Sequence, residues 1–331
     1  MKKKRSQLIF HHKNQIANIC FLILSILATA LSLAGYLGRL NLYLEFASGY
    51  KLQFLLLALC SWFYFGLTRR KIGLIVSLFC ILLNLVEILP WYFNRPTITN
   101  LESYKPLKVI SYNVLWNNQQ YDKAIALINR ENPDIVAFQE AQAPWQKALT
   151  ALTTDYPYHV GASKLEIEVY SKLPLTNTKI ELYGTYRGLV ISDVEIGNNL
   201  IKVIATHAYP QLYFGHEGWQ IRNQHLEIGI GEYVKNLKQS VVIVGDLNVS
   251  MWSPFYRSLI DKSNLHNARQ GFGILPSHSV INPSYASLSA PIDHCLVSQD
   301  IKVSNFKTEQ NIGSDHLPIV ADLLIPQRSD N

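Results

Sequence analysis

Cysteine is scarce in this chain of 331 residues, and its placement excludes two kinds of site. Cys20, Cys60 and Cys80 lie in apolar runs, where a thiol behaves as a small hydrophobic group. Cys295 is the single cysteine after residue 100, so an internal disulfide cannot form in that part of the chain. No C-x-x-C pair occurs, which excludes a zinc ribbon and a thioredoxin-like redox motif.

Acidic residues are nearly absent from the first hundred positions, and a basic surplus is absent from the rest. Residues 1–100 contain 11 Lys and Arg against 2 Asp and Glu, a net charge of +9. Residues 101–331 contain the remaining 19 and 22, a net charge of −3. Proteins that bind nucleic acids usually carry a cationic surplus, so this charge balance disfavours tight binding of a polyanion. It does not exclude a local basic patch that would bind one.

Charged residues are also missing from three long apolar runs before residue 95. The first run has no charge over 24 positions, and the third carries only Glu87 near its end, followed by Trp91, Tyr92 and Phe93. A helix of about 20 residues crosses a bilayer core of about 30 Å, and aromatic residues favour its interface. We predict a transmembrane anchor over 1–95, with spans at about 15–38, 50–68 and 72–92. The alternative is a cleaved signal peptide followed by a buried helical hairpin.

Positive charge predicts the orientation of this anchor. Lys and Arg cluster before the first run and again at 68–71, whereas the loop between the first two runs has only Arg39 and Lys51. Segments rich in Lys and Arg stay in the cytoplasm, so the N-terminus is predicted inside and everything after about residue 95 outside. If the second run is a buried helix and not a span, the orientation reverses. Residues 96–106 are predicted to be a short polar linker.

The sequence pattern changes after the linker, where strand-like and helix-like segments are mixed. β-Branched runs alternate with amphipathic stretches, which indicates two packed sheets flanked by helices, an α/β sandwich over 107–326. The predicted strands are 107–115, 134–140, 167–172, 188–196, 199–210, 240–248, 292–298, 301–309 and 319–325. The predicted helices are 122–132, 145–152, 217–238 and 253–262, of which 217–238 is the longest.

Short polar side chains stand where six of these apolar segments begin or end. They are Asn113, Glu140, His207, Asp246 with Asn248, Asp293, and Asp315 with His316. Burying one unpaired carboxylate is costly, whereas several carboxylates that share a cation are stable together. Strand ends of a sandwich can converge on one rim, so the pattern predicts a single site. Oxygen ligands without cysteine favour Mg²⁺ or Mn²⁺ over zinc, and such a set suits displacement at phosphorus.

Each of these features also has a simpler explanation when it is taken alone. An Asp-x-Asn sequence after a strand is more often a turn or a helix N-cap. A lone histidine after a strand is usually structural, and Glu140 could cap the helix that follows it. The prediction of a site therefore depends on the repetition of the pattern at six strand ends.

In this order, the segments around these residues resemble the endonuclease/exonuclease/phosphatase superfamily, the group of DNase I, exonuclease III, sphingomyelinases and inositol-polyphosphate 5-phosphatases. The resemblance covers about 108–324, and its most specific pieces are "VGDLN" (244–248) and "GSDHLPI" (313–319). The other pieces are "SYNV" (111–114), "DIVAFQE" (134–140), "YSKLPL" (170–175), "THAYP" (206–210) and "IDH" (292–294). The resemblance implies a four-layered, DNase I-like α/β sandwich that hydrolyses phosphoric ester bonds.

The resemblance also implies roles for the residues at the strand ends. Glu140 would be the main ligand of the divalent cation, helped by Asn113 and Asp315. Asp246 and Asn248 would orient the attacking water and the phosphate.

The two histidines would contact the reacting group. His316, held by Asp293, would act as a base or contact the phosphoryl oxygens. His207 would stabilise the transition state or protonate the leaving oxygen. Whether Asp246 or His316 takes the proton of the water is left open.

Further residues are candidates for contacts with the substrate. Arg187 and Arg222 could each contact a phosphate, and the alternative for Arg222 is a surface arginine on a helix. His216, Trp219 and Tyr213 could form a lip that faces the substrate or lipid, or an ordinary loop. The branch of abasic-site endonucleases usually carries a Pro-Asn-Gly element. This chain lacks that element, and its absence disfavours a function in DNA repair.

We therefore expect a membrane-anchored, metal-dependent phosphoesterase that works outside the cytoplasm. Tethering raises the effective concentration at the membrane face, so a lipid-linked phosphate, such as a polyprenyl pyrophosphate or a phospholipid headgroup, is a plausible substrate class. The three-span arrangement looks like that of proteins resembling the teicoplanin-resistance membrane phosphatases. The alternatives are an extracytoplasmic DNase I-like nuclease and a non-catalytic binding domain, and the oligomeric state is open.

Overall fold

A computed structural model describes residues 2–93, 95, 98, 101–210, 214–279 and 289–327, with side chains from residue 15 onward. Tyr213 lies outside the described residues. The chain divides into two compact units, Met1–Leu89 and Pro90–Asn331. The second unit carries all of the candidate site residues.

The first unit is helical. Its helices are α1 (Lys2–Ala34), α2 (Leu42–Ser48), α3 (Lys51–Thr68) and α4 (Lys71–Ile88). Among the described residues, three helical segments are long and apolar enough to cross a membrane: Gln15–Leu37, Lys51–Thr68 and Lys71–Tyr92. Their bounds lie within two residues of the predicted spans. The short helix α2 lies between the first two of them, where the sequence predicted only a loop.

Buried polar side chains tie three helices of the first unit together. The Ser32 hydroxyl donates to the Asn84 side-chain oxygen over 3.0 Å, which joins α1 to α4. The Lys51 ammonium donates to the Ser32 carbonyl over 2.9 Å, which joins α3 to α1. Hydrogen bonds of this kind associate helices where no hydrophobic driving force acts between them, as in lipid.

The described residues of the second unit form two six-stranded sheets. The first has the order β11-β12-β1-β2-β4-β3 and the second the order β5-β6-β7-β8-β10-β9. The first half of the strands are β1 (Tyr104–Asn113), β2 (Ile135–Gln139), β3 (Tyr158–Ala162), β4 (Ile167–Ser171), β5 (Thr176–Tyr183) and β6 (Arg187–Ile196). The others are β7 (Asn199–His207), β8 (Val241–Asp246), β9 (Leu265–Asn267), β10 (Asp293–Ser298), β11 (Lys302–Thr308) and β12 (Ile319–Pro326).

The helices of the second unit cover the outer faces of the sheets. They are α5 (Tyr121–Glu131), α6 (Ala143–Leu149), α7 (Gly215–Gln224), α8 (Tyr233–Lys235) and α9 (Pro254–Ser263), with a π-helical segment, His225–Glu232, between α7 and α8. Trp145 of α6 packs on Val136 and Phe138 of β2 in one apolar cluster, and all three side chains are fully buried. On the other side, His225 shares a hydrogen bond of 3.0 Å with Thr206 of β7.

The main core lies between the two sheets. One cluster of buried aliphatic side chains joins Val109 and Ala137 of the first sheet to Val203 and Val244 of the second. With helices outside each sheet, the order of layers is helix, sheet, sheet, helix. The predicted α/β sandwich is confirmed.

Three strands were not predicted, two because they are exposed and one because it is short. Most residues of β5 and β3 face solvent, so neither strand shows the alternation of apolar and polar residues that marks a half-buried strand. The strand β9 has only three residues. The predicted helix 217–238 is also interrupted by the π-helical segment, where Gly229 lies against the ring of Tyr183 and leaves no space for a Cβ atom.

Two parallel strand pairs bring the predicted polar residues to one edge. Strand β1 runs parallel to β2, which places Asn113 beside Gln139, the residue before Glu140. Strand β7 runs parallel to β8, which places His207 beside Asp246. Carboxyl ends of parallel strands lie at the same edge of a sheet. Strand β10 is antiparallel to β8, so its first residue, Asp293, lies beside Asp246 as well.

Candidate active site

Asn113 connects the two sheets at this edge. Its Nδ2 donates to Glu140 Oε1 and to Asp246 Oδ2, both over 3.1 Å, and it lies 3.5 Å from His316 Nε2. Its Oδ1 accepts from the Leu115 amide over 3.1 Å. The amide nitrogen, and not the oxygen, therefore faces the carboxylates, so a ligand role for Asn113 requires the amide to turn over.

Glu140 follows β2 in a conformation that fixes its direction. Its φ of 58° lies in the left-handed region, which is uncommon for a residue with a side chain and is frequent at functional sites. Its Oε2 accepts from the Trp116 amide over 3.3 Å. The side chain is 18% exposed, which makes it accessible to a small ligand.

The segment 245–248 turns the chain sharply at the end of β8. Gly245 has a φ of 152°, and a Cβ atom there would lie 1.9 Å from the Thr206 carbonyl oxygen, so glycine is required before the aspartate. Asp246 Oδ1 accepts from the Asn248 amide over 2.8 Å, and its Oδ2 accepts from Asn248 Nδ2 over 3.1 Å. Asn248 Nδ2 also donates to the Ala208 carbonyl over 2.9 Å. The Asp-x-Asn sequence is thus both a turn and part of the cluster.

His207 lies at the centre of the cluster with no hydrogen bond among the described residues. It is fully buried, and neither ring nitrogen has a partner. Its Nε2 lies 3.9 Å from Glu140 Oε1 and 3.7 Å from Asp246 Oδ2. Burial, assisted by the charges of Arg187 and His316, holds the pKa of His207 well below its usual value, so the ring is neutral at pH 7.

His316 and Asp293 form a buried pair. Asp293 Oδ2 lies 2.9 Å from His316 Nδ1, and it also accepts from the Ser277 hydroxyl over 2.6 Å. A carboxylate at Nδ1 fixes the tautomer and aims the other nitrogen, Nε2, at the site. That atom lies 3.7 Å from Asp246 Oδ2. His294, the neighbour of Asp293, instead bonds to the Val249 carbonyl over 2.8 Å and is structural.

Asp315 lies at the open rim, beside His278, a residue that was not predicted from the sequence. Its Oδ1 lies 4.0 Å from His316 Nε2, and its Oδ2 lies 3.7 Å from His278 Nε2. His278 and His316 are in ring contact, with centroids 4.5 Å apart. His278 stands in "PSHSV", which has no strand-end signal, so only the tertiary structure places it here. These histidines lower the pKa of Asp315 although burial opposes the shift.

The protons of this cluster are distributed unevenly. Burial raises the pKa of Asp246 to about 7, and the negative charge of Asp293 adds to this against the opposing charge of His316. Burial opposes a charge on His316, but Asp293 and Asp246 prevail and raise its pKa to about 10. At neutral pH His316 carries a proton, and the Asp246 carboxyl group is close to the midpoint of its titration.

The raised pKa of Asp246 predicts a pH-dependent stability. Because the folded pKa is about 7 against an ordinary 3.8, the fold favours the protonated carboxyl group. This contribution is complete below about pH 3.8 and is lost as the pH rises through 7. In EDTA, Asp246→Asn should therefore melt at an increasingly higher temperature than wild type between pH 4.5 and 7.5. Differential scanning fluorimetry measures the difference, and a difference that does not change with pH would contradict the assignment.

The two candidate phosphate-binding arginines are held in different ways. Arg187 Nη1 donates to Glu166 Oε2 over 3.0 Å, and its guanidinium stacks on Tyr186. Its charge acts on His207, so it lies beside the cluster. Arg222 is fully buried, and its Nη1 donates to the Asn248 carbonyl over 2.9 Å. Arg222 is therefore not a surface arginine, and it supports the turn that carries Asn248.

Arg222 is expected to matter for stability more than an exposed arginine. Arg222→Ala removes bonds to the Asn248 carbonyl and to Asn223 Oδ1 and leaves buried acceptors, so we expect a loss of about 2–4 kcal/mol in the free energy of unfolding. Urea unfolding in detergent measures this loss. The matched change Arg130→Ala, at a side chain that is 60% exposed, should cost less than about 1 kcal/mol. Equal losses would contradict a supporting role for Arg222.

The predicted aromatic lip is only partly present. Trp219 is buried and packs edge-on against Phe255, so it does not form an exposed lip, while His216 is exposed and contacts Trp219. The exposed aromatic side chains are instead Trp116, 54% exposed, whose amide bonds to Glu140, and Phe214, 42% exposed, whose ring contacts Tyr186 and Tyr209. These two residues were not predicted, because an aromatic residue in a loop carries no sequence signal for exposure.

The donor set fits a divalent cation. His207 Nε2 lies 3.9 Å from Glu140 Oε1 and 3.7 Å from Asp246 Oδ2, and a buried ring without a hydrogen-bond partner among the described residues indicates that a ligand completes its contacts. Carboxylate and amide oxygens are the ligands that Mg²⁺ and Mn²⁺ prefer. Two groups of described side chains place one ligand atom each within 4.8 Å of one another, namely Asp246, Asp293 and His316, and His278, Asp315 and His316.

Comparison with known proteins gives a family match over most of the second unit. The model of the Endonuclease/Exonuclease/phosphatase family matches residues 110–316. No curated protein sequence matches the chain.

Solved structures share the fold of this unit. A family protein from Bacteroides thetaiotaomicron superimposes with a TM-score of 0.56 at 17% identity, over 67% of this chain and 98% of that one. D. rerio TDP2, complexed with a single strand DNA product, gives 0.55 at 13% identity, over 66% and 98%. A family protein from Beutenbergia cavernae gives 0.51 at 17% identity, over 67% and 72%. At these identities the likeness shows a common fold.

Proposed function

The chain belongs to the endonuclease/exonuclease/phosphatase family and is a hydrolase of phosphoric ester bonds, and from this premise we propose a membrane-anchored, divalent-cation-dependent enzyme that cleaves a lipid-linked phosphate ester or phosphodiester outside the cytoplasm. The observation that carries the catalytic part is the position of His207. A fully buried ring with two unpartnered nitrogens lies within 4 Å of two carboxylates, which is stable when a ligand completes its contacts.

Glu140, Asn113 and Asp315 would hold the cation, with Mg²⁺ or Mn²⁺ as the ions that suit these donors. When bound, the cation supplies positive charge that stabilises the developing negative charge on the phosphoryl oxygens. Asn113 would present Oδ1 after its amide turns over, and the 18% exposure of Glu140 leaves a path for the ion.

The protein groups would divide the proton chemistry among themselves. Asp246 is poised near neutrality and would accept the proton of the attacking water, while Asn248 Nδ2, 3.1 Å from Asp246 Oδ2, orients that carboxylate. His316 is protonated at pH 7 and would contact a phosphoryl oxygen as a cation, held by Asp293. His207 is neutral and would donate a hydrogen bond to the leaving oxygen, and not a full proton.

The lipid-linked substrate is supported by the rest of the chain. The three apolar helices would keep the enzyme at a membrane face, where a lipid substrate has a high local concentration. The exposed rings of Phe214 and Trp116 offer apolar contacts beside the site. Arg187, next to His207, is a candidate contact for a phosphate group.

An extracytoplasmic nuclease is the second candidate. The fold is shared with TDP2, which holds a single strand DNA product in the related structure. The net charge of −3 over residues 101–331 weighs against this reading, because nucleic-acid affinity comes largely from cationic contacts with phosphates.

Activity assays on the full chain in detergent test the proposal. Hydrolysis of bis-p-nitrophenyl phosphate with Mg²⁺ or Mn²⁺ should be lost in Glu140→Gln and in His316→Ala. Equal rates in the three proteins would support the non-catalytic alternative and refute the enzyme mechanism. Polyprenyl pyrophosphate, a phospholipid and plasmid DNA offered under the same conditions then decide the substrate class, and cleavage of DNA alone would favour the nuclease.

The proposed topology has a separate test. A reporter that is active only outside the cytoplasm, fused after residue 95 in a bacterial host, should be active. A cytoplasm-dependent reporter at the same position should be inactive, and the reverse result would reverse the orientation.

A further inference from the structure

Three side chains at the open rim of the site form a group that the proposed hydrolysis does not use as a unit. They are His278, Asp315 and His316, hereafter the rim triad. Each offers one ligand atom, and these atoms lie within 4.8 Å of one another. We propose that the rim triad binds a transition-metal cation such as Zn²⁺ or Co²⁺, and that this second metal inhibits the enzyme by occupying His316.

Backbone hydrogen bonds hold the two histidines of the rim triad together. The Ser279 amide donates to the Asp315 carbonyl over 3.0 Å, and the Leu317 amide donates to the Ser277 carbonyl over 2.7 Å. The segments 277–279 and 315–317 therefore form a short antiparallel bridge with His278 opposite His316. The position of His278 is set by the fold and not by a chance rotamer of a loose loop.

The distances within the rim triad suit a shared cation. Nε2 of His278 lies 3.7 Å from one oxygen of Asp315, and Nε2 of His316 lies 4.0 Å from the other. Ligands at about 2.0–2.1 Å from a tetrahedral metal are about 3.4 Å apart. Small side-chain rotations would therefore close the site. Asp315 is 31% exposed and His278 16%, so a cation can reach them from solvent.

The carboxylate that would support a metal-bound histidine is already in place at His316. Its Nδ1 faces Asp293 over 2.9 Å, and Asp293 is fixed in turn by the Ser277 hydroxyl over 2.6 Å. A carboxylate at the far nitrogen is the usual support of a metal-bound histidine, because it fixes the tautomer and raises the basicity of the ligand atom.

The donor chemistry separates the rim triad from the proposed Mg²⁺ site. Two imidazoles and one carboxylate are borderline donors, for which Zn²⁺ and Co²⁺ compete far better than Mg²⁺. Glu140 and Asn113 offer only oxygen donors, which suit Mg²⁺ or Mn²⁺, and Asp315 is the one donor common to both proposed sites.

Occupation of the rim triad would affect hydrolysis through His316. The second metal would displace the proton of His316 Nε2 into solvent and bind this nitrogen, which lies 3.7 Å from Asp246 Oδ2, so that it could no longer contact a phosphoryl oxygen. This inhibitory consequence rests on the proposed function, whereas binding of the metal does not.

Co²⁺ binding to the full chain in detergent tests the site directly, through the visible absorption of the bound ion. The inactive Glu140→Gln protein is used so that the readout does not depend on hydrolysis. Adding His278→Gln should remove one equivalent of bound Co²⁺ and its absorption, whereas His278→Cys should restore a bound ion with a thiolate charge-transfer band. Histidines elsewhere, such as His11 and His12, are common to all variants.

His266→Gln is the matched control, because His266 is also half-buried but lies on β9 opposite Val297 and belongs to neither group of possible metal ligands. It should leave the Co²⁺ spectrum unchanged. A His278→Gln protein that melts like its parent and keeps the same Co²⁺ affinity within threefold would overturn the proposal.

Inhibition is measured as a second arm with the active protein in excess Mg²⁺. The Zn²⁺ concentration for half-inhibition should rise at least tenfold in His278→Gln and stay unchanged in His266→Gln. An unchanged value in His278→Gln would overturn the inhibitory role. If no phosphoester is hydrolysed by wild type, the proposed function fails, while the Co²⁺ result still decides the metal site.

Discussion

Asp293→Asn is expected to lower kcat by about 10³- to 10⁴-fold while the protein stays folded. The change keeps the shape of the side chain but removes the negative charge 2.9 Å from His316 Nδ1. Without that charge the imidazolium is no longer stabilised, and an amide at this position can select the wrong tautomer of the ring. Loss of a carboxylate behind a catalytic histidine costs about this much in other hydrolases.

Three measurements separate this effect from simple misfolding. The rate of bis-p-nitrophenyl phosphate hydrolysis gives kcat and KM, a thermal melt reports the fold, and an NMR titration should show a lower pKa for His316. Ser277→Ala is the control, because it removes the hydroxyl that lies 2.6 Å from Asp293 but leaves the charge. We expect Ser277→Ala to lower kcat by about tenfold or less. A loss below tenfold in Asp293→Asn would mean that the pair does not act in catalysis.

Glu140→Gln is expected to reduce kcat/KM by about 10³-fold at a fixed Mg²⁺ concentration. The amide keeps an oxygen that can accept from the Trp116 amide, so the loop at φ 58° is preserved, but the negative charge that would hold the cation is lost. Removal of one directed electrostatic contact to a developing charge lowers kcat by about 10²- to 10³-fold. Weaker binding of the cation lowers the rate further.

The dependence on Mg²⁺ identifies the cause. The concentration that gives half-maximal activity should rise in Glu140→Gln by at least tenfold, as expected for a lost metal contact. Glu195→Gln, at an exposed glutamate on β6, is the control and should change neither value. If Glu140→Gln lowers the rate with an unchanged Mg²⁺ dependence, Glu140 acts otherwise than as a ligand.

Much of the site could be predicted because strand ends carry a local signal. A run of buried residues such as Val241–Val244 must end at the edge of a sheet, and a polar residue just beyond it must lie at that edge. Asn113, His207 and Asp246 were found in this way, and the structure brings them together. Their roles in catalysis remain proposals.

Other contacts could not be predicted because they depend on pairings between distant segments. His278 has no strand-end signal and reaches the site only through the bridge to His316. Arg222 sits on an amphipathic helix, where sequence cannot tell a buried guanidinium from an exposed one, and the structure places it under the Asn248 turn. Trp219 was a candidate for the surface but is buried against Phe255.

The sequence by itself determined the three apolar helices, the α/β sandwich and the set of oxygen-rich side chains at strand ends, since periodicity and composition are local properties of the chain. Only the tertiary structure decided the electrostatics. The low pKa of His207 and the raised pKa values of Asp246 and His316 arise from burial and from neighbours far away in sequence. Burial and charge–charge distance are properties of the packed sheets, so these proton positions do not exist until the two sheets have met.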